Sequence, residues 1–509
     1  MVSRDLKLEK SFIDALRKSV EYYPNKTALL DSSREVTYQQ LWNKILKTRC
    51  QLRKLGLNPK DRIAFIQSNS IDFIIMHFAI IANESISIPI EIGAKKETVE
   101  KIIKASGAKK IYIERKYTNL YQSGSSAISD RASCLQDLLK DSETIELESA
   151  DITDFNHSSE NTSVILFTSG STGLPKGVKL SQKNTLITIR NIKNFCSYSS
   201  ESFEVITLPL SHSFGLGHVY AMLFSGGGAY LADGLVRIKK VLTAIRENKA
   251  TGFPTTPAGV DLIMNSYAEL FKQSATHLSQ MVVNSAPLTP EQTHKLHSLL
   301  PNVKIYVYYG MTEASRTSFA CLTELGSKYF KSVGKPMDTL KVKIDPKTSE
   351  IIISGPSLSS GYWPEDNFPT DKHKNPIIRS GDKGKFDENG YLYITGRIKD
   401  QINIGGYKVD PLEIETLLRK IEEVDNVAIY GDQSLNSTDQ IICFVVFKGN
   451  KDNIELIEDF CRENLEHYKF PSEIIPIKKI PEGVNGKIDR KKLGEIYNNH
   501  ISENKKLLN

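Results

Sequence analysis

The chain has 509 residues, 40% hydrophobic and 25% charged, with 66 Lys and Arg against 60 Asp and Glu. That length exceeds a single core and points to about two to four domains. A net charge of +6 with no compact Lys/Arg patch interleaved with aromatics points away from a nucleic-acid partner. The six cysteines are scattered at 50, 134, 196, 321, 443 and 461, with no CxxC pair or zinc spacing, so reduced structural thiols are expected. Met1–Lys10 is charged and no apolar core follows it. The longest apolar stretch, Ile71–Ala82, carries Asp72 and His77 and falls short of the roughly 20 residues a membrane span needs. The expectation is a cytoplasmic protein with no membrane span.

In chain order, Thr37–Leu55 has helical periodicity and stops at Gly56. Arg62–Ile66 reads as a strand, Ile71–Ala82 as a buried helix and Ile86–Ile90 as a strand. Glu97–Ala105 reads as a helix and Lys110–Ile113 as a strand. Residues 120–162 are mostly polar and read as surface structure. The apolar run Val164–Phe167 is a buried strand that feeds the loop Thr168-Ser169-Gly170-Ser171-Thr172-Gly173-Leu174-Pro175-Lys176-Gly177. Met281–Val283 is a strand, and Thr289-Pro290-Glu291-Gln292 opens a helix as a capping box. Lys304–Tyr308 is a strand ending at Tyr309-Gly310-Met311-Thr312-Glu313-Ala314-Ser315. Alternating strands and helices argue for α/β layers with largely parallel sheets, whose ligand sites lie at the carboxyl ends of strands. Ile351–Gly355 and Tyr391–Ile394 suggest a small β subdomain at about 330–396. A last α+β unit begins near Lys399. It has a strand at Ile402–Ile404, a helix opened by a capping box at Asp410-Pro411-Leu412-Glu413, strands at 424–430 and 440–447, and a helix at about 453–465.

The loop after Phe167 offers backbone N–H groups, hydroxyls and the ammonium of Lys176 to an anion, a nucleotide triphosphate above all. Lys176 is followed by Gly177 and not by Ser or Thr, so this is no Walker A loop, and the GxGxxG spacing of a dinucleotide fingerprint is missing. At the Lys304–Tyr308 strand end, Tyr309 can stack on a base, Thr312 contact a phosphate and Glu313 hold Mg²⁺, which prefers oxygen. Asp382 in Ser380-Gly381-Asp382 can hold sugar hydroxyls. Taken singly, these are a Gly/Ser loop, a strand end with a solvated Glu, and a tight turn.

Their order and spacing are more specific. With Gly396-Arg397 and Gly486-Lys487 they resemble the adenylate-forming superfamily of acyl-CoA synthetases, peptide-synthetase adenylation domains and beetle luciferases, over essentially the whole chain. The resemblance implies a large N-terminal domain (1–397) of two α/β subdomains plus a small β-barrel, and a small mobile α+β C-terminal domain (398–509). It implies activation of a carboxylic acid by ATP and Mg²⁺ to an acyl-adenylate, with release of pyrophosphate and transfer of the acyl group to a thiol. By match, Thr168–Gly173 (Thr168, Ser169, Gly170, Ser171, Thr172, Gly173) and Lys176 hold the β- and γ-phosphates, and Thr312 the α-phosphate. Glu313 holds the metal. Tyr309, Gly310 and the segment Ser285-Ala286-Pro287 enclose adenine, while Asp382 and Arg397 take the ribose. Lys487 matches the catalytic lysine, Lys399 the hinge, and Gly405-Gly406 a tunnel for a pantetheine thiol.

Leu208-Pro209-Leu210-Ser211-His212-Ser213-Phe214-Gly215 matches the segment bordering the acyl pocket and lacks the Asp that pairs with α-amino acids in relatives. His212, Phe214, Gly215, Val283, Gly310 and Met311 would border the acid, and the mix suggests an aryl, medium-chain or otherwise apolar one. The sequence departs from the family at Ser380, where Thr is usual, and at Gln182, where His is usual. Three outcomes stay open: a free-standing acyl-CoA ligase, an enzyme loading a carrier-protein phosphopantetheine, and a non-catalytic nucleotide-binding relative. No carrier domain is expected, since the chain ends soon after Lys487.

Overall fold

The computed structural model describes residues 10–94, 96–122, 126–148, 151, 158–168, 175–285, 288–364, 366–398, 402–404, 407–432, 440–449, 453–465, 467–483 and 487–507. Two large sheets carry the N-terminal part. The first has nine strands in the order Lys335–Pro336, Ala314–Cys321, Lys304–Met311, Gln280–Val283, Gly252–Thr255, Phe203–Ile206, Gly228–Leu231, Thr27–Leu30 and Glu35–Thr37. Its six central strands run parallel and both edges turn antiparallel. The second has eight strands, with Arg62–Ile66, Ile86–Ile90, Lys110–Ile113, Ala132–Cys134 and Thr162–Thr168 parallel. Lys176–Ser181 then pairs antiparallel with Thr162–Thr168.

One core joins the two sheets through the helices Tyr38–Lys54, Ile71–Ala82, Gln182–Phe195 and Ser213–Leu223. Ile71–Ala82 buries every residue except Asp72, which is why it reads as uniformly apolar and not amphipathic. The Tyr38–Lys54 helix opens with a capping box between Thr37 and Gln40, and the one foreseen at Thr289 and Gln292 forms. At Asp410 only half of the foreseen box forms. The carboxylate accepts from Leu412 N, while Glu413 accepts from Lys469 Nζ at 2.6 Å. Residues 120–162, read as polar surface, include a strand, Ala132–Cys134, and a helix, Leu135–Glu143. Leu135 and Leu138 of that helix enter the main core.

The β subdomain is a four-stranded antiparallel sheet in the order Lys341–Ile344, Glu350–Ser354, Ile377–Phe386 and Leu392–Arg397. The chain leaves it midway. Gly361–Tyr362 and Asp366–Asn367 pair onto the edge of the eight-stranded sheet beside Val178. The small domain has the hairpin Ile402–Ile404/Tyr407–Val409, a three-stranded sheet of Val424–Asp432, Gln440–Phe447 and Glu473–Pro476, and helices Pro411–Leu418, Ile454–Asn464 and Arg490–Leu507. It has apolar cores of its own. All six cysteines are free thiols. Among the described residues no helix is long and apolar enough to cross a membrane.

Candidate active site

The Gly-rich loop connects two strands of a hairpin. Thr168 and Lys176 face each other in register, with Thr168 Oγ1 donating to Lys176 C=O at 3.4 Å. The loop therefore leaves and re-enters the sheet at one point. Ser169, Gly170, Ser171, Thr172 and Gly173 lie outside the described residues. The Lys176 ammonium lies 4.9 Å from the centre of the Tyr362 ring. The Tyr362 hydroxyl in turn donates to Glu313 Oε1 at 2.8 Å. Glu313 is buried, its C=O accepts from Ser359 N, and its second carboxylate oxygen has no hydrogen-bond partner among the described residues. Tyr362 thus bridges two residues far apart in sequence. Sequence reasoning missed it, although an aromatic in Ser359-Ser360-Gly361-Tyr362-Trp363 is the available signal.

A second cluster forms where the Lys304–Met311 strand meets the β subdomain. The Tyr309 hydroxyl donates to Asp382 Oδ2 at 2.7 Å and Arg397 Nε donates to Asp382 Oδ1 at 2.7 Å. Asp382 and Arg397 are register partners on adjacent strands. Ser380 Oγ accepts from Asp382 N at 3.1 Å, which any hydroxyl can do, so the change from Thr is mild. Burial, with the Asp382 charge second, pushes the Tyr309 phenol well above its ordinary range, so it remains a neutral donor. Gly310 is fixed by packing. A Cβ there would stand 2.5 Å from Arg316 N and 2.9 Å from Ala314 O. Ser285 holds a left-handed backbone, φ 86°, immediately before Ala286 and Pro287, which lie outside the described residues.

In the segment expected to border the acid, His212 Nε2 lies 3.3 Å from Glu91 Oε2, just after the Ile86–Ile90 strand. The Phe214 ring packs 5.5 Å from Tyr308 and 5.4 Å from His218. Gly215 lets the Ser213–Leu223 helix press on its approach, since a Cβ would come within 2.6 Å of Pro209 O. Val283 is fully buried in the second core, and Met311 packs against the Tyr309 cluster. A small cavity beside the same helix has an apolar side of Val164, Leu166, Leu180, Ile189 and Leu216 and a polar side that includes Asn184, Thr188, Ser213, Thr312, Ser315 and Arg316. Arg316 was not foreseen. Its only signal is a lone charge in the small-residue strand Ala314–Cys321. Behind it, Tyr198 donates to Glu204 Oε1, and His218 Nδ1 meets Glu204 Oε2 at 2.8 Å in a buried relay.

In the small domain Lys487 is exposed, and its C=O accepts from Gly483 N at 2.8 Å. Lys399, Gly405 and Gly406 lie outside the described residues. At the seam, Gly396 has φ 151° and a Cβ there would fall 1.7 Å from Asp410 Oδ2. The N-cap of the first small-domain helix thus rests directly on a glycine.

Residues 16–363 match the family model for AMP-binding enzymes, and residues 413–487 the one for the AMP-binding enzyme C-terminal domain. The chain belongs to the AMP-binding enzyme family. It is an adenylate-forming enzyme of the acyl-CoA ligase type. An oxalate–CoA ligase of Arabidopsis thaliana is 27% identical over 95% of this chain and 98% of the relative. The long-chain-fatty-acid–CoA ligase FadD13 of Mycobacterium tuberculosis is 25% identical over 95% of this chain and 97% of its own. Among solved structures, o-succinylbenzoate CoA synthetase of Bacillus subtilis, in complex with its acyl-adenylate intermediate, superposes with a TM-score of 0.81 at 19% identity. That match covers 94% of this chain and 97% of the other. The names of these family members range from oxalate to long-chain fatty acids, so membership leaves the acid open.

Proposed function

We propose that this enzyme joins a carboxylic acid to ATP as an acyl-adenylate, releases pyrophosphate, and passes the acyl group to the thiol of CoA. The observation that carries the reading is the Lys176–Tyr362–Glu313 line, which sets a cation over the face and a carboxylate at the hydroxyl of one tyrosine. Two anions must meet in this reaction, so the work is orientation and charge neutralisation, with no nucleophilic side chain needed. Thr168–Gly173 and Lys176 take the β- and γ-phosphates and Thr312 the α-phosphate. Tyr309, Gly310 and Ser285–Pro287 take the adenine, and Asp382 with Arg397 the ribose.

Glu313 suits Mg²⁺. One oxygen is oriented by Tyr362 and the other is without a hydrogen bond among the described residues, which offers a hard oxygen ligand. A single carboxylate fits a cation that keeps several waters and phosphate oxygens, and no cluster of three or more His, Cys, Asp or Glu occurs among the described residues. When bound, the ion neutralises phosphate charge. Lys487 is the movable point charge between substrate carboxylate and α-phosphate. Lys399 is the hinge about which the domain beginning near residue 398 turns, and Gly405-Gly406 admit the pantetheine arm. His212, Phe214, Gly215, Val283 and Met311 border the acid.

Pyrophosphate exchange over a panel of acids tests the first step, and CoA against a phosphopantetheinylated carrier protein tests the acceptor. Exchange with at least one acid is expected, with CoA the better acceptor. No exchange with any acid would refute the reading. Lys487→Ala is expected to abolish adenylate formation and to spare thioester formation from supplied acyl-adenylate.

A further inference from the structure

Among the described residues Arg316 has no ion-pair partner. It is 2% exposed. Its Nη1 donates to Ser213 O at 3.0 Å and Ser315 Oγ at 2.7 Å, and its Nη2 to Phe214 O at 3.1 Å. Its Nε is buried with no partner. Glu204, a buried acid, has both its carboxylate oxygens in contact with Tyr198 and His218 and forms no ion pair with Arg316. A guanidinium cannot shed its proton to escape burial, and an unpaired buried ion costs several kcal/mol.

The geometry around Arg316 is built and not incidental. Its backbone is left-handed at φ 57°, where a non-glycine residue is strained. Gly310 and Gly217 make room on two sides: a Cβ on the first would strike Arg316 N, and one on the second would stand 2.6 Å from its Nη2. Its guanidinium carbon lies over the Tyr308 ring, 5.1 Å from the ring centre, a cation–π contact that helps fix its position. The fork is thereby fixed in the wall of the cavity that also holds Thr312, the residue assigned to the reacting phosphate.

The geometry points to Arg316 as a specificity residue that receives a second anionic group of the acid substrate, so that the preferred substrates are short dicarboxylic acids. This rests on the acyl-adenylate reading above. It also revises the apolar acid expected from the sequence. One carboxylate reacts beside Thr312 while the other accepts from Arg316 Nε and the second Nη2 hydrogen, the donors that Ser213, Ser315 and Phe214 leave over. A monocarboxylic acid of the same length would leave the arginine buried and unpaired, and that penalty is the basis of discrimination.

The test uses the full chain with ATP and Mg²⁺ and matched acids: propanoate against malonate, butanoate against succinate, pentanoate against glutarate. Wild type is expected to favour the diacid at one length or more by about 100-fold in kcat/KM for pyrophosphate exchange. Arg316→Met is expected to lose at least nine-tenths of that preference with the ATP KM unchanged, and Arg316→Lys to keep part of it. Equal loss for mono- and diacids would overturn the inference, as would a wild-type preference for monoacids. Thermal stabilisation of wild type by the favoured diacid, absent in Arg316→Met and absent with the matched monoacid, provides a reading without turnover. If no acid supports exchange, the acyl-adenylate reading fails by itself, and lack of that selective stabilisation refutes the role of Arg316 separately.

Discussion

Removing the Asp382 carboxylate should weaken ATP use by an amount the structure sets. Asp382→Ala takes a charged acceptor from the Tyr309 hydroxyl, which is buried, and such a bond is worth about 1.5–3 kcal/mol. It also breaks the contact with Arg397, whose side chain is 50% exposed, so solvent screening reduces that share to about 0.2–1 kcal/mol. Together about 2–4 kcal/mol is at stake, which bounds the loss of apparent ATP affinity at roughly 30- to several-hundred-fold. Asp382→Asn retains a neutral acceptor for Tyr309 and should lose less, about tenfold. Tyr309→Phe removes only the buried share and should fall between Asn and Ala. The assay is pyrophosphate exchange against ATP concentration, with a melting curve for each variant. A folded Asp382→Ala enzyme whose ATP dependence stays within about twofold of wild type would refute the reasoning, because about four-fifths of the total would then be missing even at the lower bound.

Tyr362→Phe keeps the ring under the Lys176 ammonium but takes the hydroxyl from Glu313. The expected result is a rise of about tenfold in the Mg²⁺ concentration for half-maximal exchange, at little cost in melting temperature. Gly310→Ala drives a Cβ into backbone at Arg316 and Ala314. Calorimetry should show a loss of about 1–3 kcal/mol, and a neutral result would mean the strand turn yields. His77 is buried between Ser87 and Tyr220, and burial lowers its pKa from 6.5 to about 3. The unfolded chain therefore takes up a proton below 6.5 that the folded chain refuses until about 3, so stability falls with pH across that window, by up to about 1.4 kcal/mol per unit. Denaturant melts of wild type and His77→Gln from pH 7 to 4 should show the steeper decline in wild type, and parallel slopes would remove His77 as the cause.

Where a continuous apolar run or a cap spacing decides an element, the sequence was enough. Ile71–Ala82 and Arg62–Ile66 form over those very residues, and Thr289 caps its helix as its spacing requires. The Leu135–Glu143 helix escaped because its apolar stripe is only Leu135 and Leu138 amid polar residues, and packing on the main core decides it. The half-formed box at Asp410 was settled by Lys469, a residue distant in sequence that captures Glu413. In the site, Tyr309, Glu313 and Asp382 stood in recognisable motifs. Tyr362 did not, because its place depends on a segment that leaves one sheet to edge another. Arg316 did not either, because an arginine in a strand reads as a solvated charge until the glycines that enclose it are seen.

That excursion of Gly361–Tyr362 has a consequence for the growing chain. Both large sheets draw their parallel strands from residues before about 311, and chains fold roughly as they emerge from synthesis. Glu313 nevertheless waits for Tyr362, and Tyr309 waits longer, for Asp382 and Arg397. A nascent chain can thus complete most of its hydrophobic scaffold while the proposed nucleotide pocket still lacks a wall, and on that proposal ATP would enter the life of the molecule only as a late arrival.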